Sequence, residues 1–191
     1  MVLKSSTMMA VGTAAPAFSL PDTEGHATAL HDFDGAPALL VMFLCNHCPY
    51  VRHIRPSLTS LVREYQARGL AAVGINSNDA EAYPEDSPER MREEAAAAGF
   101  TFPFLFDATQ EAARAYRAAC TPDFYLFDRD RRLAYRGQFD DSRPGNGLPV
   151  TGEDLRAALD AVLAGRLPSS QQRPSIGCGI KWKPGNAPSW L

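Results

Sequence analysis

The sequence predicts an α/β layered domain with a mainly parallel central sheet, on three observations. Two continuous apolar runs of strand length, "PALLVMFL" (37–44) and "LAAVGINS" (70–77), each precede a stretch with helical patterning. Strand and helix patterns alternate along most of the chain, the signature of helices packed against a sheet. The run then ends in two strands, "TPDFYLFD" and "LAYRGQF", joined by the short polar turn "RDRR", which predicts an antiparallel hairpin at one side of the sheet.

Each element has a local reason. "APAFSL" and "HATAL" flank the turn signal "PDTEG" and predict an N-terminal β-hairpin on the domain edge. "PALLVMFL" carries no polar residue, as expected of a central strand covered on both faces. After it, Val51, Ile54, Leu58, Leu61, Val62 and Tyr65 recur at helical spacing, and Pro56 should kink or interrupt that helix because it lacks an amide proton. Gly69 ends it. Ser87 as N-cap, Pro88 in the first turn and Gly99 as terminator bound the next helix. "FPFLFD" is a further strand, "QEAARAYRAA" a helix capped by Asp107 or Thr109, and "TGEDLRAALDAVLAG" a last amphipathic helix with Thr151 as cap and Asp154 in the capping-box position. From Arg166 onward no period is visible. The expected division is a domain over 1–165, hairpin included, and an irregular C-terminal tail over 166–191 packed on it.

Composition narrows the function. Hydrophobic residues make up 45% and charged residues 21% of 191, an ordinary soluble balance for one domain. A net charge of −3 with scattered arginines gives no field for a phosphate backbone, so nucleic acid is not an expected partner. No stretch reaches the roughly 18 apolar residues that span a bilayer, and Ser5, Ser6, Thr7 and Gly12 interrupt any signal-like segment. No membrane partner is expected, and the expected location is cytoplasmic. Four cysteines are too few for a disulfide scaffold, and a close pair in a reducing compartment points to catalysis or metal binding.

That pair is "FLCNHCPY", residues 43–50. Cys45 and Cys48 fall where the central strand gives way to its helix, beside unpaired amide protons and the positive helix end, which favour a thiolate. On this placement Cys45 is the expected low-pKa, more exposed sulfur, and His47 the tuning group. A lone cysteine there would read as a small hydrophobe, but two at this spacing can form a disulfide. Zinc would need four ligands, and Cys120 and Cys178 are distant in sequence, so no metal and no cofactor is expected.

The strand, the CxxC at the start of a proline-bent helix and the later "CTP" entering a strand resemble the thioredoxin superfamily. The phrases "CNHCPYV", "ACTPDF" and "IGCGIKWKPGN" are similar to the peroxiredoxin-like branch of the AhpC/TSA group, over roughly residues 10–187. The resemblance implies a thioredoxin-like fold, a mixed sheet flanked by helices. It implies thiol-disulfide exchange through Cys45 and Cys48, with Thr121 and a cis Pro122 holding the substrate backbone. Implied partners are protein or small-molecule disulfides and a thiol electron donor such as a thioredoxin or glutathione system. Cys120 and Cys178 are candidate additional redox thiols, each with an ordinary packing role as its alternative.

Two departures weigh on function. "LLVMFL" holds no buried acid to deprotonate the second cysteine, as thioredoxins have. The threonine that peroxiredoxins place three residues before the peroxidatic cysteine is Met42 relative to Cys45 and Cys45 itself relative to Cys48, so a thiol peroxidase is the weaker alternative. A copper-binding module on the same fold is another, but no histidine follows His53 to complete its ligand set.

Overall fold

The computed structural model describes residues 2–190. Its central sheet has five strands. β4 (Ala38–Phe43), β5 (Leu70–Asn76) and β6 (Phe104–Phe106) run parallel, while β8 (Asp123–Phe127) pairs antiparallel with β4 and β9 (Leu133–Gly137) antiparallel with β8. This is the mixed sheet the resemblance implies; the alternation predicts its parallel strands and the antiparallel β8–β9 hairpin, but not that β8 pairs antiparallel with central β4. The N-terminal hairpin is present as β2 (Ser19–Pro21) and β3 (Ala27–Ala29).

β4 is fully buried because alternate side chains enter two cores. Leu40 and Met42 pack with Leu58, Leu61, Phe124 and Leu155 on one face. Leu39, Val41 and Phe43 pack with Val73, Ile75, Tyr116 and Tyr125 on the other. Helix α1 (Pro49–Gln66) buries the apolar stripe read from the sequence, and it runs through Pro56 unbroken. α2 (Pro88–Ala98) begins at Ser87, whose hydroxyl accepts from the Arg90 amide at 3.4 Å, and ends at left-handed Gly99. α3 is only Glu111–Ala115, with Asp107 accepting from the Ala113 amide at 2.9 Å. α4 (Glu153–Leu163) is capped by Gly152 rather than Thr151, since φ there is +68° and an added Cβ would lie 2.7 Å from the Phe139 ring.

The expected irregular tail differs. Ile176–Gly179 form a strand, β10, held between β1 (Leu3–Ser5) and β7 (Cys120–Thr121) in a second, three-stranded sheet. β1 and β10, from opposite parts of the sequence, thus meet beside the CxxC segment. β10 escapes the sequence patterns because two of its four residues are glycines, leaving only Ile176 and Cys178 to show alternation.

Candidate active site

The Thr121-Pro122 bond is cis, and it separates β7 from β8. Cys45 leaves the end of β4 and Cys48 is the N-cap of α1. Both sulfurs reach Thr121: Cys45 Sγ lies 3.1 Å from its hydroxyl, and the Cys48 thiol donates to its carbonyl at 3.2 Å. The structure therefore brings Cys45, Cys48, Thr121 and Pro122 together. Cys178 joins them from β10, its Sγ 2.7 Å from Cys48 Sγ. Cys120 sits one residue before Thr121, and its thiol reaches the Pro122 carbonyl at 3.8 Å.

The electrostatics correct the expectation for Cys45. It is only 2% exposed, and Cys48 is fully enclosed. Burial pushes the Cys45 thiol well above its ordinary range, with Cys48 and the Asp86 charge adding to the rise and Thr121 opposing it. Cys48 moves the other way, because the Cys178 and Cys45 thiols both donate to its sulfur once it ionises. Cys178 is correspondingly held as a thiol. The helix end favours Cys48, its own N-cap, rather than the residue three positions earlier.

His47 does not stand free beside the sulfurs. Its Nδ1 lies 2.6 Å from Asp86 Oδ2, a close ion pair without good hydrogen-bond alignment, and its ring stacks on Tyr83 with centroids 5.6 Å apart. Asp86 belongs to a 3-10 turn (Pro84–Asp86) and is wholly buried. It accepts from the Asn46 amide at 2.8 Å and from Asn78 Nδ2 at 2.7 Å. Asn78 Oδ1 in turn accepts from the Lys181 amide at 2.8 Å, tying the tail to the site. Contact with Asp86 raises the His47 pKa against the effect of burial. Burial opposes ionisation of Asp86, yet His47, Asn78 and the Asn46 amide together hold its pKa low. Asp86 was invisible to sequence reasoning because it lies 38 residues beyond Cys48 in an irregular polar segment.

Cys45, His47 and Asp86 place one potential metal-ligand atom each within 4.8 Å of one another. These are three donors, and both Asp86 oxygens already accept hydrogen bonds, so the carboxylate is built as an anchor for the CxxC loop. His53 faces away toward Ser142, 2.7 Å from its hydroxyl. A cleft beside the cis proline is lined by Pro122, Tyr50, Ile54, Phe124, Phe139 and Ile176. Among the described residues no helix is long and apolar enough to cross a membrane.

One buried acid has no counterpart on β4 itself. Asp123 stands opposite Phe43 in the β4–β8 register, accepts from Ser6 Oγ at 2.5 Å and from Tyr125 at 3.0 Å, and lies 3.6 Å from Arg136.

The profile of the AhpC/TSA family matches residues 11–136. The thiol-disulfide oxidoreductase ResA of Geobacillus kaustophilus is 28% identical over 156 residues, covering 82% of this chain and 80% of that protein. Among solved structures, an uncharacterized conserved protein from Geobacillus kaustophilus is 54% identical with a TM-score of 0.95, covering 97% of this chain and 98% of that one. The thioredoxin domain of a thiol-disulfide oxidoreductase from Bacteroides vulgatus, at 19% identity, shows the fold alone, with a TM-score of 0.57 over 67% of this chain and 88% of that one. By the extent of the profile match and the mixed sheet that carries the CxxC segment, the chain belongs to the AhpC/TSA family and has a thioredoxin-like fold.

Proposed function

We propose that this protein is a thiol-disulfide oxidoreductase that works through Cys45 and Cys48. The observation that carries the reading is the convergence of both sulfurs on Thr121, immediately before the cis proline. Once local opening relieves the burial that holds it as a thiol, Cys45 attacks a substrate disulfide as thiolate, and Cys48 attacks the Cys45 sulfur of the resulting mixed disulfide. The substrate leaves as thiol and the enzyme as the Cys45–Cys48 disulfide, which a thiol donor then reduces. In the opposite direction the same steps oxidise a dithiol.

Because Cys45 is 2% exposed, exchange requires local opening around it. The cleft at Pro122 is the proposed seat of the substrate chain, with Tyr50, Ile54 and Phe139 as its apolar wall. A thiol peroxidase would use the same sulfurs on a hydroperoxide. Assays of wild type, Cys45→Ser and Cys48→Ser separate the two. Thiol-dependent reduction of a protein disulfide that both variants lose, with hydrogen peroxide left unconsumed, is the expected result. Peroxide consumption without disulfide exchange would overturn it.

A further inference from the structure

Three sulfurs, not two, meet at the site, and Cys48 is the one in the middle. Cys48 Sγ is 2.7 Å from Cys178 Sγ, about 0.7 Å beyond an S–S bond length, and Cys45 is its second thiol neighbour. The placement of Cys178 is fixed by backbone. β10 pairs with β7 so that Cys178 stands opposite Thr121 and Gly179 opposite Cys120, while β1 sets Leu3 against Cys178 on the other edge. A shift by one residue would turn Cys178 to the opposite face of this small sheet. Gly177 permits the close approach, since a Cβ there would lie 2.0 Å from the Thr121 carbonyl oxygen.

We propose that Cys178 is a third redox thiol of the site, and that Cys48 exchanges its disulfide partner between Cys45 and Cys178. The inference rests on the Cys45–Cys48 couple and adds one step to it. The Cys178 thiolate attacks Cys48 Sγ of the Cys45–Cys48 disulfide. A Cys48–Cys178 bond forms as the Cys45–Cys48 bond breaks, and Cys45 leaves as a thiolate that takes up the proton released from Cys178. No net oxidation occurs, and no outside reagent is consumed. The disulfide moves beneath β10, and Cys45 returns to the reduced state while the enzyme as a whole stays oxidised. Ionisation favours Cys48 over its two neighbours, because both can donate to its thiolate.

The test is the disulfide that forms when Cys45 is absent. Reduced, unfolded Cys45→Ser protein is refolded in a glutathione redox buffer, so that burial does not limit access, then acid-quenched, alkylated and mapped with trypsin. Cleavage leaves Cys45 and Cys48 together in residues 5–52, Cys120 in 118–129 and Cys178 in a separate C-terminal peptide. The expected product is the 5–52 peptide linked through Cys48 to the Cys178 peptide, absent from Cys45→Ser/Cys178→Ser. Folded Cys45→Ser that keeps Cys48 and Cys178 as thiols, carries glutathione at Cys48 as the double variant does, or links Cys48 to Cys120 would overturn the proposal. Circular dichroism checks folding, and Cys45→Ala replaces the serine variant if that one does not fold. Wild type refolded in parallel separates the two levels. A Cys45–Cys48 disulfide with no Cys48–Cys178 link in the variant defeats only the third thiol, whereas wild type unable to form any Cys48 disulfide defeats the underlying couple.

Discussion

Asp86 neutralises His47 before His47 can act on Cys45. The two side chains meet at 2.6 Å, and the carboxylate is itself within 4.8 Å of the Cys45 sulfur. The histidine of the CxxC loop is therefore half of an ion pair whose other half works against the thiolate.

Opposite outcomes follow for the two partners. Asp86→Asn removes a negative charge near Cys45 and keeps an acceptor for the Asn46 amide, so it lowers the Cys45 pKa. His47→Ala leaves Asp86 uncompensated and raises it. Each unit moved changes the thiolate fraction below the pKa by about tenfold. The pH dependence of Cys45 alkylation, followed by mass spectrometry, measures both. Equal shifts of the same sign would contradict the paired-charge account.

The pair also makes stability depend on pH. The His47 pKa is raised, so its contribution is complete below the ordinary value of 6.5 and is lost as pH rises through the raised one. The Asp86 pKa is lowered, so its contribution holds above 3.8 and is lost as pH falls through the lowered one. The window of greatest benefit lies between those ordinary values. The Tm deficit of His47→Gln relative to wild type should be larger at about pH 5.5 than at about pH 8.5. A deficit of the same size at both pH values would show that the ring stabilises by stacking on Tyr83 rather than by charge.

The contrast between Ser87 and Asp86 shows what a sequence discloses. Ser87, Pro88 and Gly99 act on their own backbone neighbourhood, so the α2 boundaries were legible. The β4 run and the α1 stripe were legible for the same reason, and with them the position of the CxxC. Asp86, one residue away from Ser87, acts on His47 and Asn46 through tertiary approach, which no local pattern records. Cys178 is a similar case. The sequence marked it as a candidate, but its position beside Cys48 depends on β10 pairing with β7, and a four-residue strand with two glycines gives no alternation to read. The absence of an acid from β4 was legible in "LLVMFL", whereas the buried carboxylate that Asp123 brings from the adjacent strand depends on the β4–β8 register, which no local pattern records.

Asp123 and Arg136 form a pair exposed by 0% and 1% at their side chains, 3.6 Å apart. Arg136→Met strands the carboxylate in the interior with only the Ser6 and Tyr125 hydroxyls as donors. Loss of one partner of such a pair costs about 3–5 kcal/mol. Urea denaturation of Arg136→Met should show that loss, and Asp123→Leu/Arg136→Met should recover most of it, because no buried charge is then left alone. A double variant as unstable as the sum of the singles would mean that Ser6, Thr7 and Tyr125 hold each charge separately.

Gly177 tests whether β10 is part of the site or only lies on it. A methyl group at this position would approach the Thr121 carbonyl carbon to 2.7 Å and its oxygen to 2.0 Å, so Gly177→Ala must push β10 away from β7. Overpacking of this kind costs about 1–3 kcal/mol, read as a lower Tm. The displaced carbonyl is also the acceptor for the Cys48 thiol, and the displaced strand carries Cys178. Gly177→Ala should therefore change the alkylation profile of Cys48 together with stability, whereas Gly185→Ala, at a tail turn with open space around its Cβ position, should leave that profile unchanged. A fall in Tm with an unaltered Cys48 profile would show that β10 braces the fold without setting the chemistry of the central sulfur.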